Sequence, residues 1–193
     1  MMQRRTFVLG GLATAAAPHA AAQSLEKRKV TIAVGGKNLF YYLPLTIAEQ
    51  LGYFKAEGLE VSIVDFAGGS RALQAVVGGS ADVVSGAFEH TINMHAKGQP
   101  MRAFVLQGAA PQIVLGVNPK TMPNFKSVTD LAGKKIGVTA PGSSTNIVVN
   151  FVLAKAGLKP RDVSIVGVGA SNGAVAAMRS GQIDAISNLD PVI

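Results

Sequence analysis

The sequence predicts an α/β protein made of two similar lobes, each a mostly parallel sheet with helices on both faces. Two observations lead to this fold class. Short β-rich runs alternate with helical segments from residue 30 onward, and one stretch of the first half recurs in the second half at a constant offset. Strands that are separated by helices imply a mostly parallel sheet covered on both sides.

The elements of the first lobe follow from hydrophobic periodicity. Strands are predicted where β-rich residues cluster or alternate with polar ones, as Val61 and Ile63 do, and helices where apolar residues recur on one face. Gly52 and Gly98 mark the ends of two of the helices. The predicted strands are 30–34, 59–66, 82–85 and 101–107, and the predicted helices are 44–51, 70–77 and 89–97.

An internal repeat predicts the second lobe. Residues 72–86 (ALQAVVGGSADVVSG) align without a gap with residues 174–188 (AVAAMRSGQIDAISN), at the offset of 102 that separates Gly79 from Gly181. This period is too long for a solenoid. Chance similarity between two Ala-rich helix-turn-strand units is the alternative. The break at Ala109-Ala110-Pro111 places lobe one at 23–111 and lobe two at 112–193, with its first strand at 113–117.

The first 22 residues are predicted to be a signal peptide. Arg4-Arg5 precede an apolar run at 7–17 that is too short to span a bilayer, and Ala20-Ala21-Ala22 provide small residues before a cleavage point at Gln23. The segment QRRTFVL is similar to a twin-arginine motif but lacks its usual serine and lysine, so the general and the twin-arginine routes both stay open. We expect a periplasmic protein.

Composition limits the classes of chemistry. The chain has no cysteine, which excludes disulfides, thiolate metal sites and a cysteine nucleophile. Its formal charge is +7, and loss of the two arginines of the leader lowers that to about +5, which is compatible with an anionic ligand. The basic residues form no stripe with aromatic residues, so we expect no nucleic-acid partner.

Several motifs together resemble one family. Residues 43–61 (LPLTIAEQLGYFKAEGLEV), GGSADVV at 78–84, LAGKKIGVTAPGSST at 131–145, and GQIDA followed by NLDP at 181–191 are similar to the SsuA/THI5-like (NMT1-type) solute-binding proteins. That family includes binding proteins for nitrate, sulfonates, taurine and thiamine precursors. One departure is Asp190, where many relatives carry glutamate.

The resemblance implies a type II periplasmic-binding-protein fold, in which two lobes joined by a hinge close over a small solute. It implies the solute-binding component of an ABC uptake transporter, with a membrane permease as partner and without cofactor, metal or catalysis. Two alternatives remain: a thiamine-pyrimidine synthase of the same fold, which the absence of cysteine and the export signal oppose, and the ligand-binding domain of a sensor.

Candidate ligand-binding residues lie where strands end, because ligands of parallel sheets bind beyond the carboxyl ends of the strands. The candidates are Gly36, Lys37, Asn38 and Leu39 after strand one, Gly68, Gly69 and Ser70 after strand two, Gly86, Phe88 and Glu89 after strand three, Gly142, Ser143, Ser144 and Thr145 in lobe two, and Asn188 and Asp190 near the last strand.

Two of these turns resemble anion sites. Gly68-Gly69-Ser70 and Gly142-Ser143-Ser144 each precede a predicted helix, where free N–H groups and the helix dipole favour an anion. Ser70 and Ser143 as ordinary N-caps are the alternative. An amine on the solute would use Asp190 or Glu89, and a pyrimidine would stack on Tyr41, Tyr42 or Phe88.

Other conspicuous residues receive structural roles. Asp82 and Asp184 recur in the repeat and are expected to fix the local backbone. His90 and His95 lie five residues apart, off a shared helix face, and are expected to be packing or surface residues rather than metal ligands.

The repeat also predicts an unfinished second lobe. The unit that ends at Gly86 is followed by a helix and a strand, whereas five residues follow its counterpart at Asn188. Two ordinary lobes need roughly 250 residues. We therefore expect the C-terminal part of the fold to be missing, with the last strand of the chain at a sheet edge, its N–H and C=O groups unpaired, and with apolar helix faces exposed.

Overall fold

The computed structural model describes residues 25–193. The predicted signal peptide lies outside these residues. The strands are β1 Lys29–Val34, β2 Glu60–Asp65, β3 Val83–Ser85, β4 Val114–Val117, β5 Lys135–Val138, β6 Ser164–Gly167 and β7 Ala185–Asn188. The α-helices are α1 Leu43–Gln50, α2 Tyr53–Ala56, α3 Gly69–Val77, α4 Glu89–Ala96, α5 Ser144–Lys155 and α6 Asn172–Arg179, with 3₁₀ turns at Phe40–Tyr42, Val128–Leu131 and Pro160–Asp162.

The strands form two sheets, and the sheets share a topology. In the first sheet the order is β2-β1-β3 and all pairs are parallel. In the second sheet the order is β4-β7-β5-β6, with β5 parallel to both β6 and β7 and with β4 antiparallel to β7 at the edge. The last strand, β7, is paired on both sides, so the prediction that it lies at a sheet edge is wrong, because β4 returns antiparallel to cover it. Each lobe therefore places its first parallel strand between the next two, which confirms the α/β class and the two-lobed, mostly parallel fold. We call the first sheet with α1–α4 the first lobe, and the second sheet with α5 and α6 the second lobe.

The first sheet buries β1 on both faces. Ile32 and Val34 pack with Leu39 and Tyr42 on one side, while Ala33 packs against the alanines of α3 on the other. This alternation follows from the two-residue period of a strand. The carboxyl end of β1 is therefore packed on both faces.

The second sheet is covered in the same way. Ile136 and Val138 of β5 contact Val149 and Leu153 of α5, and all four are fully buried. On the other face, Ile186 packs with Ile183 and the alanines of α6. The buried face of α5 is therefore packed against β5, and the helix begins in the loop that follows the carboxyl end of this strand.

The two lobes share a hydrophobic cluster. Ala170 and Leu189 of the second lobe belong to the same buried cluster as Leu39 and Tyr42 of the first. The Phe40 N–H also donates to the Asp190 carbonyl at 3.0 Å. These contacts hold the loops of the two lobes against each other.

The strand predicted at 101–107 is wrong. Phe104, Val105 and Leu106 belong to no helix or strand, and they are 76, 71 and 82% exposed. The segment is held by side chains instead: the Gln107 amide donates to the Tyr41 carbonyl at 2.7 Å, and its oxygen accepts from the Ser85 hydroxyl at 2.7 Å. A β-rich composition creates a strand only where a neighbouring strand can pair with it.

No helix within residues 25–193 is long and apolar enough to cross a membrane.

Candidate functional site

A cavity of about 330 Å³ lies between the loops of the two lobes. Loops after β1 and β3 and the start of α3 form one wall, the start of α5 forms the opposite wall, and the segment between the lobes closes the back. The lining residues are Gly35, Leu39, Tyr41, Tyr42, Gly69, Gly86, Ala87, Phe88, Glu89, Gly108, Ala109, Ala110, Pro111, Ile113, Thr139, Ser143, Ser144, Thr145, Ile147, Val148 and Leu189.

Half of the predicted ligand-binding residues lie in this cavity wall. Those that line it are Leu39, Gly69, Gly86, Phe88, Glu89, Ser143, Ser144 and Thr145. Those that do not are Gly36, Lys37, Asn38, Gly68, Ser70, Gly142, Asn188 and Asp190. The residues of the first group lie together in one cavity wall, and their role in ligand binding stays a prediction.

The residues of the turn after β1 bond to other residues of the first lobe and do not line the cavity. The backbone N–H groups of Gly36 and Lys37 both donate to Asp65 Oδ1 at 2.8 Å. The Lys37 ammonium pairs with Glu49 at 2.8 Å. The cationic group that sequence reasoning placed near the ligand is therefore already neutralised by a partner on α1.

The predicted residues near β7, Asn188 and Asp190, form hydrogen bonds with backbone groups of neighbouring loops. The Asn188 amide is buried, donates to the Gly169 carbonyl at 3.1 Å and accepts from the Leu189 N–H at 3.0 Å. Asp190 is exposed and contributes its carbonyl to the Phe40 N–H. Neither side chain lies in the cavity wall.

The two serine-containing turns meet each other across the interface of the lobes. Ser143 Oγ accepts the Ser70 N–H at 3.0 Å and donates to Ser70 Oγ at 3.1 Å, and Ser70 Oγ lies 2.9 Å from the Pro141 carbonyl. The N–H of Ser70, which has no acceptor within α3, is therefore bonded to a side chain of the second lobe. Ser70 is not an N-cap, since that position is held by Gly68, and Ser143 is the N-cap of α5 but makes no capping bond.

Glycines permit this close approach of backbones. A Cβ at Gly35 would overlap the backbone of Gly68 and Gly69, and a Cβ at Gly68 would lie 2.9 Å from both Ser143 Oγ and Thr139 Oγ1. Any side chain at these two positions pushes α3 away from β1 or from the second lobe. Sequence reasoning placed Gly68 at the ligand, whereas its small size serves contact between the lobes.

The start of α5 presents unpaired donors. Thr145 Oγ1 accepts the Thr139 N–H at 3.1 Å and lies 2.9 Å from Thr139 Oγ1, which fixes the buried first turn. Within residues 25–193, the N–H groups of Ser144 and Thr145 have no hydrogen-bond acceptor. The first N–H groups of a helix lack internal partners, and here both residues line the cavity. They can therefore bind an anionic or carbonyl oxygen.

Aromatic side chains and one carboxylate form the first-lobe wall. Tyr41 and Tyr42 contact edge to face with ring centroids 5.1 Å apart, and Phe88 is 64% exposed. Burial, and then the charge of Glu89, raise the pKa of Tyr41. Tyr42 accepts the Gly35 N–H on its hydroxyl, and its burial raises its pKa to about 12. Both phenols therefore stay neutral at physiological pH.

The described residues contain no cluster of histidine, aspartate and glutamate that could hold a metal. His90 is buried, its Nε2 would lie 3.1 Å from a Cβ at Gly69, and burial lowers its pKa while Glu89 raises it. It packs beneath the first turn of α3, as a packing histidine would.

Residues 39–192 match the family described as NMT1/THI5 like. The chain belongs to this NMT1/THI5-like family. A structure of a Bordetella bronchiseptica RB50 protein is 73% identical, with a TM-score of 0.87, and the match covers 88% of this chain and 54% of that one. The alkanesulfonate-binding protein SsuA from Xanthomonas axonopodis, bound to MOPS, is 25% identical with a TM-score of 0.62, over 87% and 56% of the two chains.

A curated relative of this NMT1/THI5-like protein is an enzyme. The 4-amino-5-hydroxymethyl-2-methylpyrimidine phosphate synthase of Schizosaccharomyces pombe is 27% identical over 83% of this chain and 44% of that protein. The chain spans about half the length of the curated relatives it matches. The fold of ABC-importer solute-binding proteins, predicted from the motifs, is confirmed.

Proposed function

We propose that this chain is the periplasmic solute-binding component of an ABC uptake transporter and holds a small solute between its two lobes. The observation that carries the proposal is the cavity of about 330 Å³, lined by residues of both lobes and of the segment that joins them. Pockets for small molecules are concave, largely apolar and roughly 300–1,000 Å³ in volume. Export by either secretion route and docking to a membrane permease belong to the same proposal.

An anionic group on the solute is favoured by the start of α5. The N–H groups of Ser144 and Thr145 are free within the described chain and sit at the positive end of a 12-residue helix. The net charge of about +5 that remains after loss of the predicted leader adds a weak general attraction. The resemblance to an alkanesulfonate-binding protein supports sulfonates of the taurine type, and nitrate is the smaller alternative.

A thiamine-pyrimidine precursor is the second candidate. Tyr41 and Phe88 in the cavity wall provide aromatic faces on which a pyrimidine ring can stack. The Schizosaccharomyces pombe relative is named for pyrimidine phosphate synthesis, which supports a ring of this type in the same fold. A synthase would form such a ring from other precursors, whereas a transport protein would only bind the ring that is added, so formation of the ring and not its binding separates the two roles.

A thermal-shift screen tests the proposal. The purified protein is heated with MOPS, taurine, ethanesulfonate, nitrate or 4-aminopyrimidine. A solute at one hundred times its Kd adds roughly 2.7 kcal/mol to the stability of the native state, which raises the melting temperature by several degrees. If the melting temperature stays constant with all five at millimolar concentration, the proposal is wrong for these classes of solute.

A further inference from the structure

Basic side chains gather where the strands of the second lobe begin. Lys134 and Lys135 stand at the start of β5, Lys159 and Arg161 come just before β6, and Lys120 follows β4, whose carboxyl end pairs with the start of β7. Parallel strands begin at the same edge of a sheet, so these residues share that edge. The cavity lies at the opposite ends of the strands. We call this set the cationic edge: Lys120, Lys126, Lys134, Lys135, Lys159 and Arg161.

Backbone bonds hold the loops of the cationic edge together. The Ser164 N–H donates to the Lys134 carbonyl at 2.8 Å, and the Gly133 N–H donates to the Asp162 carbonyl at 2.7 Å. The loops before β5 and β6 are therefore adjacent. Lys134 is half-buried, and the other five residues of the cationic edge are exposed.

The carboxylates at this edge are bonded to backbone N–H groups and leave the cations unpaired. Asp162 accepts the Lys159 N–H at 2.8 Å, and Asp184 accepts the Lys135 N–H at 2.9 Å. Asp130 accepts two N–H groups of its own turn, at 2.7 and 3.0 Å. The second lobe contains no glutamate. Within residues 25–193, no side chain of the cationic edge forms an ion pair.

The equivalent edge of the first lobe carries ion pairs instead. There Lys27 pairs with Asp82, which is the repeat counterpart of Asp184, and Lys29 pairs with Glu60 at 3.9 Å. The two sheets share a topology but differ in charge at the same place. The sheet itself therefore does not require unpaired cations, which points to a role outside the lobe.

The composition of the cationic edge fits a layer of lipid headgroups better than a protein partner. The core of a protein interface is apolar and poor in lysine. Among residues 118–135 and 158–164, which form the loops of this edge, no large apolar side chain is exposed, and five of the six cations are lysines. A lysine ammonium is a compact, hydrated charge, which suits attraction to many phosphates without fixed geometry.

We propose that the cationic edge attaches the second lobe to a surface of anionic phospholipid headgroups. The attraction is electrostatic and needs no insertion into the bilayer, and each lysine or arginine near such a surface strengthens binding about fivefold. Because the cavity lies at the other ends of the strands, attachment leaves it accessible. The inference does not depend on the proposed solute.

Cosedimentation with vesicles tests the inference. The purified protein is mixed with vesicles of phosphatidylcholine, with or without phosphatidylglycerol, at about 0.02 M and about 0.15 M salt. We expect binding only to vesicles that contain phosphatidylglycerol, and weaker binding at the higher salt. The triple variant Lys135→Gln, Lys159→Gln, Arg161→Gln should lower the partition coefficient about tenfold or more, and Lys159→Gln alone about threefold.

A matched triple variant separates the cationic edge from total charge. Lys55→Gln, Lys97→Gln, Arg102→Gln removes the same charge from exposed residues of the first lobe and should lower the partition coefficient less than about threefold. Equal losses in the two triple variants overturn the inference, as does equal binding to both kinds of vesicle or no binding to either.

Polyglutamate in solution is the probe for an acidic protein partner. Binding to polyglutamate without binding to vesicles would assign the cationic edge to such a protein and overturn attachment to lipid. A melting temperature equal to that of the wild type shows that a variant is folded. If the triple variant melts lower, the decision rests on Lys159→Gln against Lys97→Gln, where equal affinities contradict the inference.

Discussion

Asp82 is bonded twice to Thr31: its N–H donates to the Thr31 carbonyl at 2.9 Å, and its carboxylate accepts the Thr31 N–H at 2.8 Å. Asp184 makes the same pair of bonds with Lys135, at 2.8 and 2.9 Å. In each lobe the third parallel strand is therefore tied to the start of the central strand by an aspartate. This finding gives the two repeated carboxylates a structural role and places them away from the cavity.

The stability of the protein should fall in acid through these aspartates. The Lys27 ammonium and then the Thr31 N–H hold the pKa of Asp82 below its ordinary value, and the Lys135 N–H does the same for Asp184. A lowered pKa in the folded state stabilises it fully above the unfolded-state pKa near 3.8, and this contribution is lost as pH falls through the folded-state pKa.

We expect Asp184→Asn to reduce the free energy of unfolding at pH 7 and to lose less stability than the wild type below about pH 4, where the wild-type carboxylate protonates. Urea unfolding at a series of pH values measures this. Asp190→Asn, on an exposed residue, is the control and should follow the wild-type curve. A constant difference between Asp184→Asn and the wild type from pH 7 to pH 3 would contradict the assignment.

Ser143→Ala should weaken the contact between the lobes. Ser143 is 2% exposed, and its hydroxyl is the acceptor for the Ser70 N–H. Removal of that acceptor leaves a donor unpaired, at a cost of about 1–3 kcal/mol in the free energy of unfolding. Urea denaturation is the measurement, with the exposed Ser62→Ala as the control, expected within about 0.5 kcal/mol of the wild type. Equal effects of the two changes would show that the Ser70–Ser143 bonds contribute nothing.

Ser144→Pro should remove one anion-binding donor without disturbing the helix. Ser144 is the first residue of α5, a position where proline is well tolerated, and Ser143 before it has the extended backbone that proline requires. Affinity for an anionic probe such as ethanesulfonate or MOPS should fall about tenfold or more, as for loss of a hydrogen bond to a charged group. Ser144→Ala keeps the N–H and is the matched control. Equal affinity of both variants would place the anionic group of the solute elsewhere.

The segment 101–107 should promote self-association. Three consecutive apolar residues, Phe104 to Leu106, are largely exposed and form a patch that proteins usually cover. We expect the sedimentation coefficient to rise with protein concentration, and Leu106→Lys to reduce this rise. Leu51→Lys introduces the same charge at the exposed C-cap residue that follows α1 and should leave association unchanged. A wild type that stays monomeric at all concentrations would contradict the prediction.

Sequence periodicity predicted most of the fold because its determinants are local. The repeat around Gly79 and Gly181 is confirmed by shared topology, and both glycines have positive φ angles, 76° and 73°, at matching positions. The strand at 101–107 is wrong because pairing depends on a neighbour that local propensity does not reveal.

The site was predicted less completely, because it depends on how the lobes face each other. The rule about strand ends found Phe88, Glu89 and Ser144, which lie at the carboxyl ends of β3 and β5. It missed Thr139, and it interpreted Ala109-Ala110-Pro111 only as the boundary between the lobes, because these residues reach the cavity only through the arrangement of the lobes. It also placed Ser70 at the ligand, whereas the serine bonds across the interface to Pro141.

If the cavity holds a solute as proposed, the bonds between Ser70 and the second lobe also affect the rate at which that solute binds. On this side of the cavity the lobes can separate only when the bonds from Ser70 to Ser143 and Pro141 break together. Association of a solute that reaches the cavity by this separation is then limited by the opening rate rather than by diffusion, and dissociation slows by the same restraint. Substitutions at these two serines should therefore change the residence time of a bound solute more than its affinity, since they alter association and dissociation in the same direction.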